Sequence, residues 1–157
     1  MPNVSYAFVE GIPGSCVQVG REEAIQILAL EHLVEIPVDV KDATATGTRR
    51  HGAMKLVANI DAATPLMMEC VCTSKTIPTV EIKYFNINDE GKEINYYTIT
   101  MEKVRVTKAK HWYPNVDDEM TKNYKDMINY ELRYDKITWH YADGNKEFAD
   151  TWLAPNQ

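Results

Sequence analysis

Residues 79–107 read TVEIKYFNINDEGKEINYYTITMEKVRVT, and this stretch decides the fold. Two runs rich in β-branched and aromatic residues flank a short polar segment that contains Gly91. Glycine accepts backbone angles that other residues resist, so the pattern predicts a β-hairpin with a loop of a few residues. In the first run, alternation places Val80, Ile82 and Tyr84 on one face of the strand.

The return strand of this hairpin, Glu93 to Thr107, alternates less cleanly and carries apolar residues on both faces. Such a strand either packs on both sides or forms part of a surface that another chain covers. Because a lone hairpin is only marginally stable in water, the rest of the chain has to cover this one.

Length and composition fit one globular domain over residues 1–157. The chain is 45% hydrophobic and 25% charged, and its 17 basic and 23 acidic residues give a net charge of −6. A chain of this length buries roughly 70% of its unfolded surface, so it needs no metal or disulfide to fold. An acidic balance without a basic block argues against nucleic acid and anionic membranes as partners.

The N-terminal residues and the cysteines indicate a protein made in the cytosol. We find no secretory signal and no apolar run that predicts a membrane-spanning helix. The three cysteines, Cys16, Cys70 and Cys72, are odd in number and lack a disulfide spacing, which favours a reducing compartment.

Upstream of the hairpin, the pattern predicts short strands at Tyr6–Val9 and at Cys16–Val19, and a further strand at Met54–Ile60. Arg21–Val38 is ambiguous. Its composition favours a helix, yet its apolar residues also fit two alternating stretches with a change of phase at Leu28. The polar segment from Pro37 to Gly47 is expected to be a long exposed loop.

One helix is predicted, over Thr64–Thr73. Pro65 suits the first helical position, and Asp61 or Thr64 can cap the helix. The helix has an apolar stripe that would dock on a sheet, formed by Leu66, Met67, Cys70 and Val71.

Downstream, Lys108–Lys125 is predicted to be a connecting loop and Met127–Tyr141 a long strand. The alternation of that strand slips by one residue, which predicts a β-bulge at Asp135–Lys136. A turn at Asp143–Gly144 then leads into a final strand, Lys146–Trp152. Many strands and one helix predict a mainly β fold, a single β-barrel or sandwich carrying one short helix.

No group of residues predicts catalysis, a metal site or a cofactor. The four histidines show no tight spacing, and Cys70 and Cys72 lack the second pair of ligands that zinc sites use. The segment lacks a nucleophile motif beside His51. The neighbouring Arg49 and Arg50 favour a solvated face or an ion pair between subunits.

The segment from Thr46 to His51, Thr-Gly-Thr-Arg-Arg-His, resembles the haemolysin-coregulated protein (Hcp) family, the tube component of bacterial type VI secretion systems. The resemblance covers nearly the whole chain in order, through Gly20-Arg21-Glu22, Ile25-x-Ile27-Leu28-Ala29, His32, Ile36-Pro37-x-Asp39, Ile60-Asp61, Thr64-Pro65-Leu66, Cys72-Thr73, Glu81-Ile82-Lys83-Tyr84, Asn88-Asp89-x-Gly91-Lys92-Glu93, Glu131-Leu132-Arg133-Tyr134 and Lys136-Ile137-Thr138-Trp139.

This resemblance implies a β-barrel of two sheets with a helix on one side, which makes Arg21–Ile36 mainly strand. It also implies hexameric rings that stack into a tube inside a contractile sheath. The tube is expelled with a spike protein at its tip and carries small effectors in its channel. A cytosolic protein without a signal peptide would thereby be secreted to the medium or a target cell.

A ring needs two different surfaces on each subunit. The loop from Val38 to Gly47 resembles the family's extended loop, which reaches towards neighbouring subunits, and the return strand of the hairpin is a second candidate surface. The predicted interface residues are Asp39, Lys41, Asp42, Thr46, Arg49, Arg50, Tyr97 and Ile99.

Two other functions stay open at this stage. A monomeric β-barrel could bind a small ligand inside, lined by well-spaced polar groups. A hydrolase effector would carry a toxin domain behind the barrel, for which the residues after the last predicted strand are expected to leave no room.

Overall fold

The computed structural model describes residues 4–123 and 125–151. This part of the chain contains one α-helix, α1 (Thr64–Thr73), and ten strands. The strands are Val4–Val9 (β1), Ile25–Glu31 (β2), Val34–Glu35 (β3), Arg50–His51 (β4), Met54–Asn59 (β5), Thr76–Ile87 (β6), Glu93–Trp112 (β7), Met127–Arg133 (β8), Lys136–Tyr141 (β9) and Lys146–Thr151 (β10).

The predicted hairpin is confirmed as β6 and β7, which pair from Thr76–Arg105 to Ile87–Glu93. Gly91 in the connecting turn has a φ of +80°, a conformation that glycine adopts without strain. β7 continues to Trp112, so the prediction that a loop begins at Lys108 is wrong. The length of β7 follows from its having two different neighbours along one edge.

β7 closes the barrel. Its residues 105–112 pair with β8, and its residues 97–102 pair with β9. Among the described strands, β7, β6, β1, β2, β5 and β8 therefore form a closed ring, while β9 and β10 extend the sheet beyond it. β3 and β4 form a separate small sheet. The prediction of a mainly β barrel with one short helix is confirmed.

The alternation of buried residues changes phase at neighbouring positions on β6, on β7 and between β8 and β9. At each of these positions two successive buried residues are three positions apart instead of two: Ile77 and Val80, Met101 and Val104, and Tyr134 and Ile137. Lys103, between Met101 and Val104, has a φ of +54°, in the left-handed region that bends a strand.

The predicted β-bulge at Asp135–Lys136 is wrong, because this position is a break between two strands. The chain instead ends β8 at Arg133 and begins β9 at Lys136. The register with β7 is kept across the break, because Arg133 pairs with Arg105 and Lys136, three residues later, pairs with Glu102, three residues earlier on β7. No extra residue is inserted, since β7 makes the matching offset opposite the break.

The ambiguous segment is strand, as the resemblance implies, and its helical propensity gives the wrong answer. The change of phase at Leu28 is a β-bulge, because Ile27 pairs with Ala58 whereas Ala29 pairs with Val57. The strand predicted at Cys16–Val19 is wrong, since this segment is a loop. The strand predicted over residues 54–60 is confirmed as β5.

α1 has the predicted bounds, but its predicted cap is wrong. Ala63 occupies the N-cap, and the Asp61 carboxylate accepts a hydrogen bond from the Ala63 amide over 3.0 Å. Met67 and Cys70 are buried against the sheet, whereas Leu66, predicted to dock, is exposed. In the described part of the chain, no helix has both the length and the apolar character needed to cross a membrane.

The barrel interior is filled by apolar side chains from every strand of the ring. The largest fully buried ones include Met54, Ile82, Met101, Ile128 and Tyr130. At the C-terminal end, the last predicted strand is confirmed as β10 through Thr151, and Trp152 lies outside the described residues.

Candidate functional site

The segment from His32 to His51, which we call the arm, leaves the barrel between β2 and β5. Its two ends pair as β3 and β4, and a bridge between Val38 and Ala45 brings the chain back on itself further out. Between residues 33 and 48 no side chain is fully buried. The long exposed loop predicted there is therefore confirmed, and it is held together by its own hydrogen bonds.

Four predicted interface residues lie on the exposed tip of the arm, and three of them shape it. The Asp39 carboxylate accepts the Lys41 amide over 2.8 Å, and the Thr46 amide donates to the Pro37 carbonyl over 2.8 Å. The Thr44 hydroxyl and amide donate to Asp42 and hold the pKa of this carboxyl below its usual range. Asp39, Asp42 and Thr46 therefore fix the path of the tip.

An apolar stripe on the arm is the feature that the sequence analysis missed. Val34, Ile36, Val38 and Val40 alternate along the outgoing chain, and their side chains are 39%, 52%, 56% and 98% exposed. Apolar residues gathered on one exposed segment mark an interaction surface. Their spacing of two residues is visible in the sequence, but the charged residues between them obscured it.

The base of the arm is joined to the barrel by four polar side chains, His32, His51, Tyr134 and Asp150, which we call the anchor network. His51 is buried; its Nε2 lies 2.7 Å from Asp150 Oδ2 and its Nδ1 lies 2.6 Å from the Tyr134 hydroxyl. His32 Nε2 lies 2.8 Å from the same hydroxyl. One hydroxyl thus holds both ends of the arm.

Arg49 ties the arm to β10 beside the anchor network. Its guanidinium donates to both carboxylate oxygens of Asp150, with Nε–Oδ2 and Nη2–Oδ1 distances of 2.5 and 2.9 Å, and to the Thr151 carbonyl over 3.0 Å. This two-point contact holds the pKa of Asp150 below its usual range and raises the pKa of Arg49. Arg50 is exposed on β4. A role of either arginine between subunits stays a prediction.

The ionisation of the anchor network favours hydrogen bonding over reaction. Burial, together with the negative charge of Asp150, raises the pKa of Tyr134 far above its usual value, so the phenol stays neutral. Burial and the neighbouring His51 lower the pKa of His32. The His51 side chain is only 2% exposed, which leaves it no open surface for a substrate.

A second apolar surface continues the barrel core outwards on β9 and β10. Across the sheet, Ile99 pairs with Trp139 and Trp139 with Phe148, and their exposure rises from 4% at Ile99 to 65% at Phe148. Trp139 stacks on Phe148 with ring centroids 6.1 Å apart, and on His51 with centroids 6.3 Å apart. In the next row, Tyr97 pairs with Tyr141.

We call this surface the aromatic face and define it by Tyr97, Trp139, Tyr141 and Phe148. Of the two interface residues predicted on β7, Tyr97 lies on this surface and is half-buried. Ile99 is instead buried in the hydrophobic core of its own chain, so its side chain is not available to a neighbour.

Cys16 lies in the loop after β1 and Cys70 and Cys72 lie on α1, whereas His32 and His51 meet at Tyr134. Cys70 is buried, Cys72 is exposed, and burial raises the pKa of Cys70. Within the described ranges, no group of three His, Cys, Asp or Glu side chains is arranged to hold a metal ion.

Comparisons with known proteins agree on one family. The family described as "Type VI secretion system effector, Hcp" matches residues 6–141. The chain is 26% identical over 149 residues to the "Major exported protein" of Pseudomonas aeruginosa PAO1, covering 95% of this chain and 87% of that protein.

Solved structures show the same fold. The Hcp1 protein of the E. coli EAEC 042 pathovar, in a mutant form, is 32% identical with a TM-score of 0.83, covering 97% of this chain and 99% of that one. The secreted protein Hcp3 of Pseudomonas aeruginosa is 18% identical with a TM-score of 0.76, covering 98% and 100%.

Proposed function

The chain belongs to the Hcp family of type VI secretion proteins, and from this premise we propose that it is a structural subunit that assembles into hexameric rings. The rings stack into a hollow tube inside a contractile sheath. Sheath contraction expels the tube together with a spike protein, and the channel carries small effectors.

The observation that carries this proposal is that one chain presents two unlike apolar surfaces. The apolar stripe of the arm is aliphatic and extended, whereas the aromatic face is broad and belongs to a rigid sheet. Two different surfaces on each subunit suit a heterologous contact, in which the stripe of one copy meets the aromatic face of the next. Repeating that contact around an axis closes a ring.

The energetics of such a contact are favourable. Complete burial of a valine or isoleucine side chain contributes roughly 1.5–3 kcal/mol, so the four stripe residues together can supply several kcal/mol per contact. Part of that gain offsets the loss of translational and rotational freedom on association. The anchor network reduces a separate cost, the ordering of a loop on binding, because the base of the arm is already positioned before it meets a neighbour.

Export is the second part of the proposal. The "Major exported protein" relative supports secretion. The subunit is made in the cytosol and leaves the cell as part of the expelled tube. Its partners are other copies of itself, the sheath and spike proteins, and small effectors.

The protein acts as a structural component, as in the rest of its family, and works through contacts between subunits. The alternative of a ligand-binding barrel is disfavoured because Met54, Ile82, Met101 and Ile128 fill the interior with apolar side chains. A small ligand would need well-spaced polar groups in a cavity at that position.

Negative-stain microscopy and light scattering test the proposal. The wild-type protein is expected to form rings with six-fold symmetry, and Val38→Asp is expected to abolish them by placing a charge in the contact. Val116→Asp is the matched control, because Val116 is equally exposed, at 55% against 56%, but lies on the β7–β8 loop. A wild-type protein that stays monomeric at every concentration would contradict the proposal.

A further inference from the structure

We propose that the anchor network is a pH-operated latch, which holds both ends of the arm while at most one of its two histidines is protonated and releases the His32 end when both are. The inference concerns contacts within one chain, so it does not depend on the proposed function. It rests on three hydrogen bonds: those of the Tyr134 hydroxyl with His32 and His51, and that of His51 with Asp150.

The three bonds run in series from β10 to the end of β2. With both histidines neutral, His51 donates from Nε2 to Asp150, Tyr134 donates to His51 Nδ1, and His32 donates from Nε2 to the Tyr134 oxygen. Each donor then has its acceptor. This arrangement links β10, the arm and the end of β8 without placing a charge on either imidazole.

When one proton is added, the two hydrogen bonds of Tyr134 exchange donor and acceptor, and all three contacts are kept. A protonated His51 donates from Nε2 to Asp150 and from Nδ1 to the Tyr134 oxygen, and Tyr134 then donates to the bare Nε2 of His32. The positive charge lies next to the Asp150 carboxylate, which stabilises it. The three contacts survive, so the arm stays attached.

A second proton breaks the pattern. His32 and His51 would then be cations that both direct an N–H at the Tyr134 oxygen, within hydrogen-bond reach of the same atom. Two further cations contact the network: Arg49, which already occupies both oxygens of Asp150, and Arg133, whose Nη1 lies 3.3 Å from the His51 carbonyl. Among the described residues, four cationic groups then face one carboxylate, and repulsion separates His32 from Tyr134.

The direction of the pH effect follows from His32. Its folded-state pKa lies below the usual value of about 6.5, because burial and His51 both disfavour the charged form. The contribution of the latch is therefore fully present above about pH 6.5 and is lost as the pH falls through the lower, folded-state pKa of His32. The Asp150–Arg49 contact survives this step, so the His51 end of the arm stays tied to β10 while the His32 end is released.

Hydrogen exchange measured by mass spectrometry tests the latch, comparing about pH 7.5 with about pH 5.5 after correction for intrinsic exchange. Amides at the His32 end of the arm in the wild-type protein are expected to exchange faster at the lower pH, because protonation of His32 breaks its contact with Tyr134. His32→Gln keeps an N–H donor near the Nε2 position but cannot be protonated, so its arm is expected to stay protected.

The matched control is His140→Gln on β9, where His140 contacts Asn145 outside the network. This variant is expected to keep the wild-type pH response. Unchanged exchange of the wild-type arm, or an equal pH response in His32→Gln, would overturn the latch.

A second measurement covers the case in which His32→Gln does not fold. The imidazole resonances of the wild-type protein are followed by NMR as the pH is lowered. The His32 imidazole is expected to titrate below the usual value of about 6.5, whereas a His32 titration at or above that value would overturn the proposal.

Discussion

Two long segments leave the barrel next to β2, and they differ in how much of their own chain they contact. The first, residues 14–24, which we call the strap, is held down by Arg21, which is only 5% exposed. The guanidinium lies 5.0 and 4.6 Å from the ring centroids of Tyr6 and Phe85, and it forms an ion pair with Glu93. The arm buries none of its side chains between residues 33 and 48.

This difference separates a segment that completes the fold from one that is available to a partner. Exposure alone does not distinguish them, because Val17 and Val19 on the strap are also exposed. The strap, however, is fixed to the barrel by the buried side chain of Arg21, which follows the exposed Val17 and Val19 in the chain. The arm is anchored at its base, by His32, Arg49 and His51, and its apolar stripe stays 39–98% exposed.

The largest effect on stability is expected at the strap. Arg21→Ala removes a cation packed on two aromatic rings and leaves Glu93 without its partner, which should lower the free energy of unfolding by about 2–4 kcal/mol. Urea denaturation followed by circular dichroism measures this change. Arg105→Ala is the control, because Arg105 is 41% exposed in its ion pair with Asp135, and it should cost less than about 1 kcal/mol. Equal losses would mean that the strap is not anchored as described.

A smaller effect is expected at the base of the arm. Tyr134→Phe keeps the buried ring but removes the hydroxyl that joins His32 and His51, and this should lower the free energy of unfolding by about 1–2 kcal/mol at neutral pH. The same denaturation experiment checks it. Tyr113→Phe, at an exposed position, should leave the midpoint unchanged. If the two variants behave alike, the anchor network does not hold the arm.

The contact between the arm and β10 predicts an acid-dependent effect of similar or smaller size. The pKa of Asp150 is lowered in the folded protein, chiefly by Arg49, so its contribution is present above the usual carboxyl pKa of about 3.9 and is lost as the pH falls below it. Asp150→Asn should remove this acid-dependent step from a series of unfolding curves. Asp143→Asn, in the exposed β9–β10 turn, should retain it. A step that persists in Asp150→Asn would assign it to another carboxyl.

The smallest effect on folding is expected at the tip of the arm. Replacing Ile36 and Val38 by Ser should change the free energy of unfolding by less than about 0.5 kcal/mol, because both side chains are more than half exposed. Light scattering on the same variant should show the loss of rings. A large loss of stability here would remove the distinction between strap and arm.

Local patterns in the sequence predicted the elements that depend on near neighbours. The β6–β7 hairpin and the bounds of α1 follow from alternation, from Gly91 and from Pro65, each within a few residues. The strand character of β2 came only from the resemblance, because good helix formers fill that segment and the bulge at Leu28 hides its alternation.

Features that need distant parts of the chain could not be predicted. Closure of the barrel depends on β7 meeting β8 and β9 along one edge, and the break at Asp135 becomes clear only beside the matching bend at Lys103. The anchor network joins His32 to Asp150, far apart in sequence and without periodic spacing.

The apolar stripe, by contrast, could have been predicted from the sequence, because Val34 and Ile36 begin a plain alternation of apolar residues.

A mixing experiment with two variants tests the central claim, that the apolar stripe of one subunit contacts the aromatic face of the next. One variant carries Ile36→Lys and Val38→Lys on the arm, and the other carries Tyr141→Lys and Phe148→Lys on the aromatic face. Each is expected to remain an 18.0 kDa monomer by native mass spectrometry. Mixed, they should form a one-to-one pair of twice that mass and nothing larger, because only one intact contact can form between them. A mixture that stays monomeric, or rings formed by either variant alone, would contradict the account.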